Sequence, residues 1–183
     1  LKKSIIRFVT KTPKTGRDPL IQVGVGDLDW QMLYKKFNVD DKIFKSISLA
    51  ELREAMKIAG SIEYSENFNW LQRQIWKARY ALASYSEYDF GFSYLMVELN
   101  ISKNNMAELY WDSGYVEGVP FIRFELSNTL YNIPDAGNFM WGHKAYLNKL
   151  PKGVMLDAAA KNEGGADTNA DTRAILSGFN YRF

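Results

Sequence analysis

The sequence predicts an α+β domain, mostly helical with a few short strands. Three observations lead there. Residues 48–60 and 68–83 carry apolar side chains at helical spacing, the first with clear start and stop signals. LIQVGV at Leu20–Val25 and VPFIRFEL at Val119–Leu126 are short β-branched or alternating runs that read as strands. Helical and extended segments do not alternate as in a βαβ fold, and no internal repeat occurs. At 183 residues the chain is long enough for one domain with a real core.

Lys2, Lys3, Arg7, Lys11, Lys14 and Arg17 all precede the first acid, Asp18. Residues 1–19 therefore read as a basic N-terminal arm or linker, and residues 20–183 as the domain. Within the arm, Ser4–Val9 suits a strand and Lys11–Pro19 a loop. After the first strand of the domain, Asp27 or Asp29 caps a short helix with Trp30, Leu33, Tyr34 and Phe37 on one face. Ser48 and Glu51 form an S-x-x-E capping box. Leu49, Leu52, Met56 and Ala59 line the helix that follows, and Gly60 ends it. A longer helix over Phe68–Ala83 carries the stripe Leu71, Ile75, Ala78 and Leu82, broadened by Trp76, with Arg73, Lys77 and Arg79 on a basic side. Tyr85–Leu99 is dense in aromatics around Asp89, with a bend expected at Gly91; its second half suits a strand or a buried helix equally. Asn104–Trp111 reads as a short helix. Pro120 places the strand after it at a sheet edge or at the strand's start.

The densest stretch is IPDAGNFMWGHKAYLN, Ile133–Asn148. Pro134 suits the first position of a helix. Asp135 follows in the first turn, where the helix dipole favours a carboxylate. Leu150-Pro151 stops the helix. Gly137 and Gly142 each weaken it by about 1 kcal/mol relative to Ala, so another backbone or a ligand is expected close on that side. A tightly packed core helix and a site wall carrying Asp135 and Asn138 both account for them. Val154–Ala160 reads as a further helix and residues 161–170 as a polar loop. Thr172–Leu176 reads as a last helix, capped by Asp167, Asn169 or Asp171 and closed by Gly178.

Composition excludes several classes of function. There are no cysteines, which removes disulfides, thiolate catalysis and Cys-based zinc. A net charge of +2 is modest for a nucleic-acid enzyme. No apolar run approaches the length of a membrane span. The chain starts at Leu1 without a signal peptide, so a processed piece of a longer protein is expected. Asp167-x-Asn169-x-Asp171 imitates a calcium loop, but Thr172 and Gly178 stand where that loop needs Gly and Glu. His143 is the single histidine, which excludes a two-histidine nuclease and multi-histidine metal sites. Asp135 lies about 12 Å from it along a helix, too far for direct contact. The alternating C-terminus, Phe179–Phe183, imitates a closing barrel strand, but a barrel needs many such strands. Carboxylates remain: Asp89, Asp135, Asp157, Asp167 and Asp171. A carboxylate pair in unlike environments divides into acid and base for glycosidic cleavage, and with a divalent metal it hydrolyses phosphodiesters.

Three segments run in order to the C-terminus: Tyr88-Asp89; Asp135-x-Gly137-Asn138-Phe139-x-x-Gly142; and Asp171-x-x-x-Ile175-x-x-Gly178. Together they resemble the type 44 bacterial polymorphic toxin domain, over roughly Trp70–Phe183. That family has Trp where this chain has Tyr88. The resemblance implies a toxic tip of a large secreted protein, delivered into competing bacteria and countered by a cognate immunity protein. It marks Asp89, Asp135, Asn138 and Asp171 as site residues without giving them roles.

The leading expectation is a hydrolase of peptidoglycan that needs no cofactor and no metal. Asp89 and Asp135 are its acid/base pair, and Asn138 orients a sugar or the attacking water. Tyr88, Phe139 and Trp141 stack on sugars, and His143 and Asp171 complete the substrate contacts. The alternatives are a nuclease toxin, whose basic residues grip phosphate, and a non-enzymatic module that binds glycan or a partner.

Overall fold

Local capping signals at Ser48, Asn69 and Asp89 start two helices and a π-helical turn, and long-range packing decides which faces are buried. The computed structural model describes residues 21–22, 44–101, 121–127, 129–131, 133–162 and 169–182. The basic arm, the helix expected over Trp30–Phe37 and the one expected over Asn104–Trp111 lie outside these residues.

The architecture is mostly helical with short strand pairs. β1 (Ile21–Gln22) and β2 (Phe44–Ile47) precede α1 (Leu49–Ile58) and α2 (Trp70–Ala83). A π-helical turn at Phe90–Leu95 runs into the short α3 (Met96–Glu98). β3 (Phe121–Phe124) and β4 (Thr129–Leu130) follow, then α4 (Ile133–Leu147), α5 (Lys152–Asn162) and α6 (Asn169–Asn180). β2 and β3 pair in parallel from Phe44↔Phe121 to Ile47↔Phe124, which requires the helices between them as a crossover. β1 and β4 pair antiparallel, and Ile122 bridges to Tyr131.

The capping box at Ser48 forms as its sequence requires: Glu51 N–H donates to Ser48 Oγ, and Ser48 N–H donates to Glu51 Oε2 at 2.7 Å. The Ser48 N–H and hydroxyl, both donating to Glu51 Oε2, hold the Glu51 carboxyl below its usual range. Gly60 follows the helix at φ 71°, a conformation that favours glycine. α2 has a second capping box, between Asn69 and Gln72.

The stripe expected to bury α2 does not do so. Leu71, Ile75, Ala78 and Leu82 face outward, and the buried side chains are Trp76, Tyr80 and Ala83. The reason is aromatic packing. Trp76 stacks on Tyr80 with centroids 4.9 Å apart, and Tyr80 meets Tyr88 and Trp141 edge-on. The segment after Gly91, ambiguous in the sequence, is helical. α6 also differs from expectation: it extends to Asn180, so Gly178 lies inside it and does not close it.

α4 is the central element. Eleven of its fifteen residues are buried. On one side Trp141 joins the ring cluster of α2. On the other, Phe139 stacks on Phe124 at 4.0 Å and meets Tyr131 and Tyr181. Burying one such ring contributes about 2 kcal/mol. Among the described residues no helix is long and apolar enough to cross a membrane.

Candidate functional site

Glycines bring the π-helical turn and α6 against α4 backbone to backbone. A Cβ on Gly137 would stand 2.7 Å from the Gly91 nitrogen, so α4 touches the π-helical turn backbone to backbone. A Cβ on Gly142 would run into the Ile175 carbonyl of α6, and one on Gly178 into the Phe139 carbonyl of α4. The glycines of the two motif segments are thus one crossing seen from both sides. This is the close backbone approach that Gly137 and Gly142 foreshadow.

An aspartate stands at the start of each of these three elements. Asp89 caps the π-helical turn. Asp135 lies in the first turn of α4 and Asp171 in the first turn of α6. A helix start favours negative charge there. Asn138, about one turn beyond Asp135, donates from Nδ2 to Asp171 Oδ1 at 2.9 Å. Residues three apart on a helix share a face, with Cβ atoms about 5–6 Å apart. Asn138 and Asp171 thus join the two motif segments, and Asp135 lies on the same face of α4 as Asn138. Asp135 is 2% exposed. Tyr131 lies in its field: burial pushes the Tyr131 hydroxyl up, and the Asp135 charge adds to that.

Asp89 is engaged differently. Its Oδ1 accepts from Phe92 N–H at 3.1 Å and its Oδ2 from Ser93 Oγ at 2.9 Å. Both oxygens serve the start of the π-helical turn, a capping role for which Asp is well suited. Gly91, two residues on, ties that turn to α4. π-helical turns are rare and recur at functional sites.

The three aromatics expected to stack on sugars are core rings. Tyr88 stacks on Phe90 and its hydroxyl accepts from Asn148 Nδ2 at 2.9 Å. Phe139 is sandwiched against Phe124. Trp141 is buried and donates from Nε1 to Ser84 Oγ. Their faces are occupied by other rings, which is the physical reason they do not offer a platform. His143 is also buried, edge-on to Tyr181. Burial lowers its pKa to about 4; the Gly178 and Tyr181 backbone opposes that, and the Arg182 and Lys144 charges add to it. It is a neutral imidazole at pH 7.

Two polar residues that the sequence did not single out anchor α4. Lys144 is buried, and its ammonium donates to the Met56 carbonyl at 2.7 Å and to the Gly60 carbonyl. It caps the C-terminal end of α1, where a cation is favoured, although desolvation lowers its pKa. Asn148 holds Tyr88, and its Oδ1 accepts from Ser61 Oγ at 3.1 Å. A lysine in a mostly apolar helix was the available signal for the first; nothing local marks the second. Among the described residues, no group of three or more His, Asp or Glu is placed to hold a metal ion.

Comparison of the chain with protein-family models, with curated proteins and with solved structures gave no match.

Proposed function

We propose that this chain is the antibacterial toxin domain of an interbacterial competition system, a hydrolase that attacks peptidoglycan by carboxylate chemistry. One observation carries the reading: Asn138 Nδ2 donates to Asp171 Oδ1 between α4 and α6, with the buried Asp135 three residues before Asn138 on α4. Asp135 is enclosed in the first turn of α4, and Asp171 is bonded to an amide. Two carboxylates in unlike surroundings are what acid/base division requires. The catalytic pair is therefore Asp135 with Asp171. Asp89 becomes a positioning residue, because both its oxygens hold the turn that packs on α4. Asn138 orients Asp171 and, through it, the sugar or the attacking water. The domain acts as a delivered tip of a larger secreted protein, and the producing cell carries an immunity protein against it.

The test is where the domain kills. Expression in a sensitive bacterium is directed either to the periplasm or to the cytoplasm. Killing from the periplasm alone, with rounding, lysis and release of soluble wall fragments, is the expected result. Killing from the cytoplasm alone contradicts the wall as substrate and directs attention to nucleic acid.

A further inference from the structure

We infer that the outward face of α2 docks on an anionic membrane surface. The inference is independent of the hydrolase reading. Leu71, Ile75, Ala78 and Leu82 fall within an arc of about 60° on the helix, opposite the buried Trp76, Tyr80 and Ala83. Leu71, Ile75 and Leu82 are 58%, 61% and 72% exposed, and Trp70 and Tyr85 are exposed at the two ends of the row. Isolated exposed leucines need no explanation, but a continuous apolar row does.

Charge selects the occupant. α2 contains Arg73, Lys77 and Arg79 and no acidic residue. Arg79 stands beside the apolar row, about 40° round the helix from Ile75, while Lys77 lies about 100° from Ala78 on the other side, both exposed. Arg73 is turned to the loop before the helix, donating to the Phe68 and Glu66 carbonyls. The nearest carboxylates along the chain, Glu66 and Glu87, lie beyond the helix ends, and Glu87 accepts from Ser86. A second copy on this face would set the cations of one helix against those of the other. Anionic headgroups complement them, while Leu71, Ile75 and Leu82 enter the acyl boundary. Trp and Tyr rings at the ends of the row suit the headgroup level, where one side of a ring is apolar and the other wet.

The experiment is cosedimentation of the intact chain with vesicles. Vesicles of equal parts phosphatidylcholine and phosphatidylglycerol are expected to bind at least ten-fold more tightly than phosphatidylcholine alone. Ile75→Ser with Leu82→Ser is expected to weaken that binding ten-fold or more. Lys77→Gln with Arg79→Gln is expected to remove the preference for phosphatidylglycerol. Circular dichroism checks that both double variants keep the fold, as exposed positions should. Binding unchanged by Ile75→Ser with Leu82→Ser overturns the inference, since another surface is then responsible. Failure of the unaltered chain to bind vesicles overturns it and gives the face to a protein partner. A solution dimer that the same pair of substitutions dissolves gives it to a second copy.

Discussion

α4 and α2 are helices of nearly equal length with opposite relations between composition and burial. α4 contains two glycines, an aspartate, an asparagine, a histidine and a lysine, yet most of it is buried. α2 has a continuous apolar row, and that row faces outward. The difference lies in what each helix lets approach. Glycine in α4 admits the backbones of α6 and the π-helical turn to van der Waals distance, so polar side chains are enclosed with their partners. α2 reaches the core through large rings on its other face. Apolar spacing marks a face that can be buried; ring packing and backbone approach decide which face is.

The sharpest way to break this contrast is to add one carbon to each helix. Gly142→Ala and Gly178→Ala each drive a methyl into a carbonyl on the facing helix. Rigid backbone cannot yield as a side chain would, so each is expected to cost about 3 kcal/mol or more in urea unfolding. A larger side chain at Ala78 of α2 meets solvent and is expected to change stability by less than about 0.5 kcal/mol.

Enclosure of His143 gives an effect of similar size that depends on pH. Its folded pKa is about 4, below the ordinary value of 6.5. The unfolded chain therefore binds a proton that the folded chain refuses between those values. Stability is full above pH 6.5 and falls as pH drops toward 4, by about 3 kcal/mol at most. Unfolding free energies across that window check the slope, and His143→Phe is expected to flatten it.

Lys144 compares a buried cation with an exposed one. Lys144→Ala leaves the Met56 and Gly60 carbonyls without their donor and is expected to cost about 2 kcal/mol. Lys77→Ala on α2 is expected to cost no more than about 0.5 kcal/mol. At the small end, Leu71→Ser, Ile75→Ser or Leu82→Ser is expected to shift stability by about 0.5 kcal/mol or less. A larger loss in thermal melts would mean that the row is covered in solution.

Much of the helical frame was legible because its signals are local. Ser48 and Glu51 satisfy each other within one turn, and Gly60 ends the helix they start. Pro134 and Asp135 mark the start of α4, and Gly137 and Gly142 announce a close approach without naming the neighbour. β2 was missed because FKSI is only four residues, half of them polar, and its partner strand lies far along the chain. The π-helical turn has no periodicity of its own to read. In the site, the Asn138–Asp171 bond joins residues 33 apart, which no spacing rule predicts. The capping role of Asp89 was within reach, since Asp beside a helix start is a common cap. Its aromatic neighbours pointed to a ligand surface, but those rings pack on one another.

The most direct measurement is killing by the periplasm-directed Asp135→Asn variant, with thermal melting alongside to show that the variant folds. The substitution keeps the side chain's size and removes its charge. Loss of killing and of released wall fragments, with the melt within a few degrees of the unaltered chain, is the expected result. Undiminished killing by a folded Asp135→Asn chain would contradict it, and would leave the α4–α6 crossing with a structural role alone.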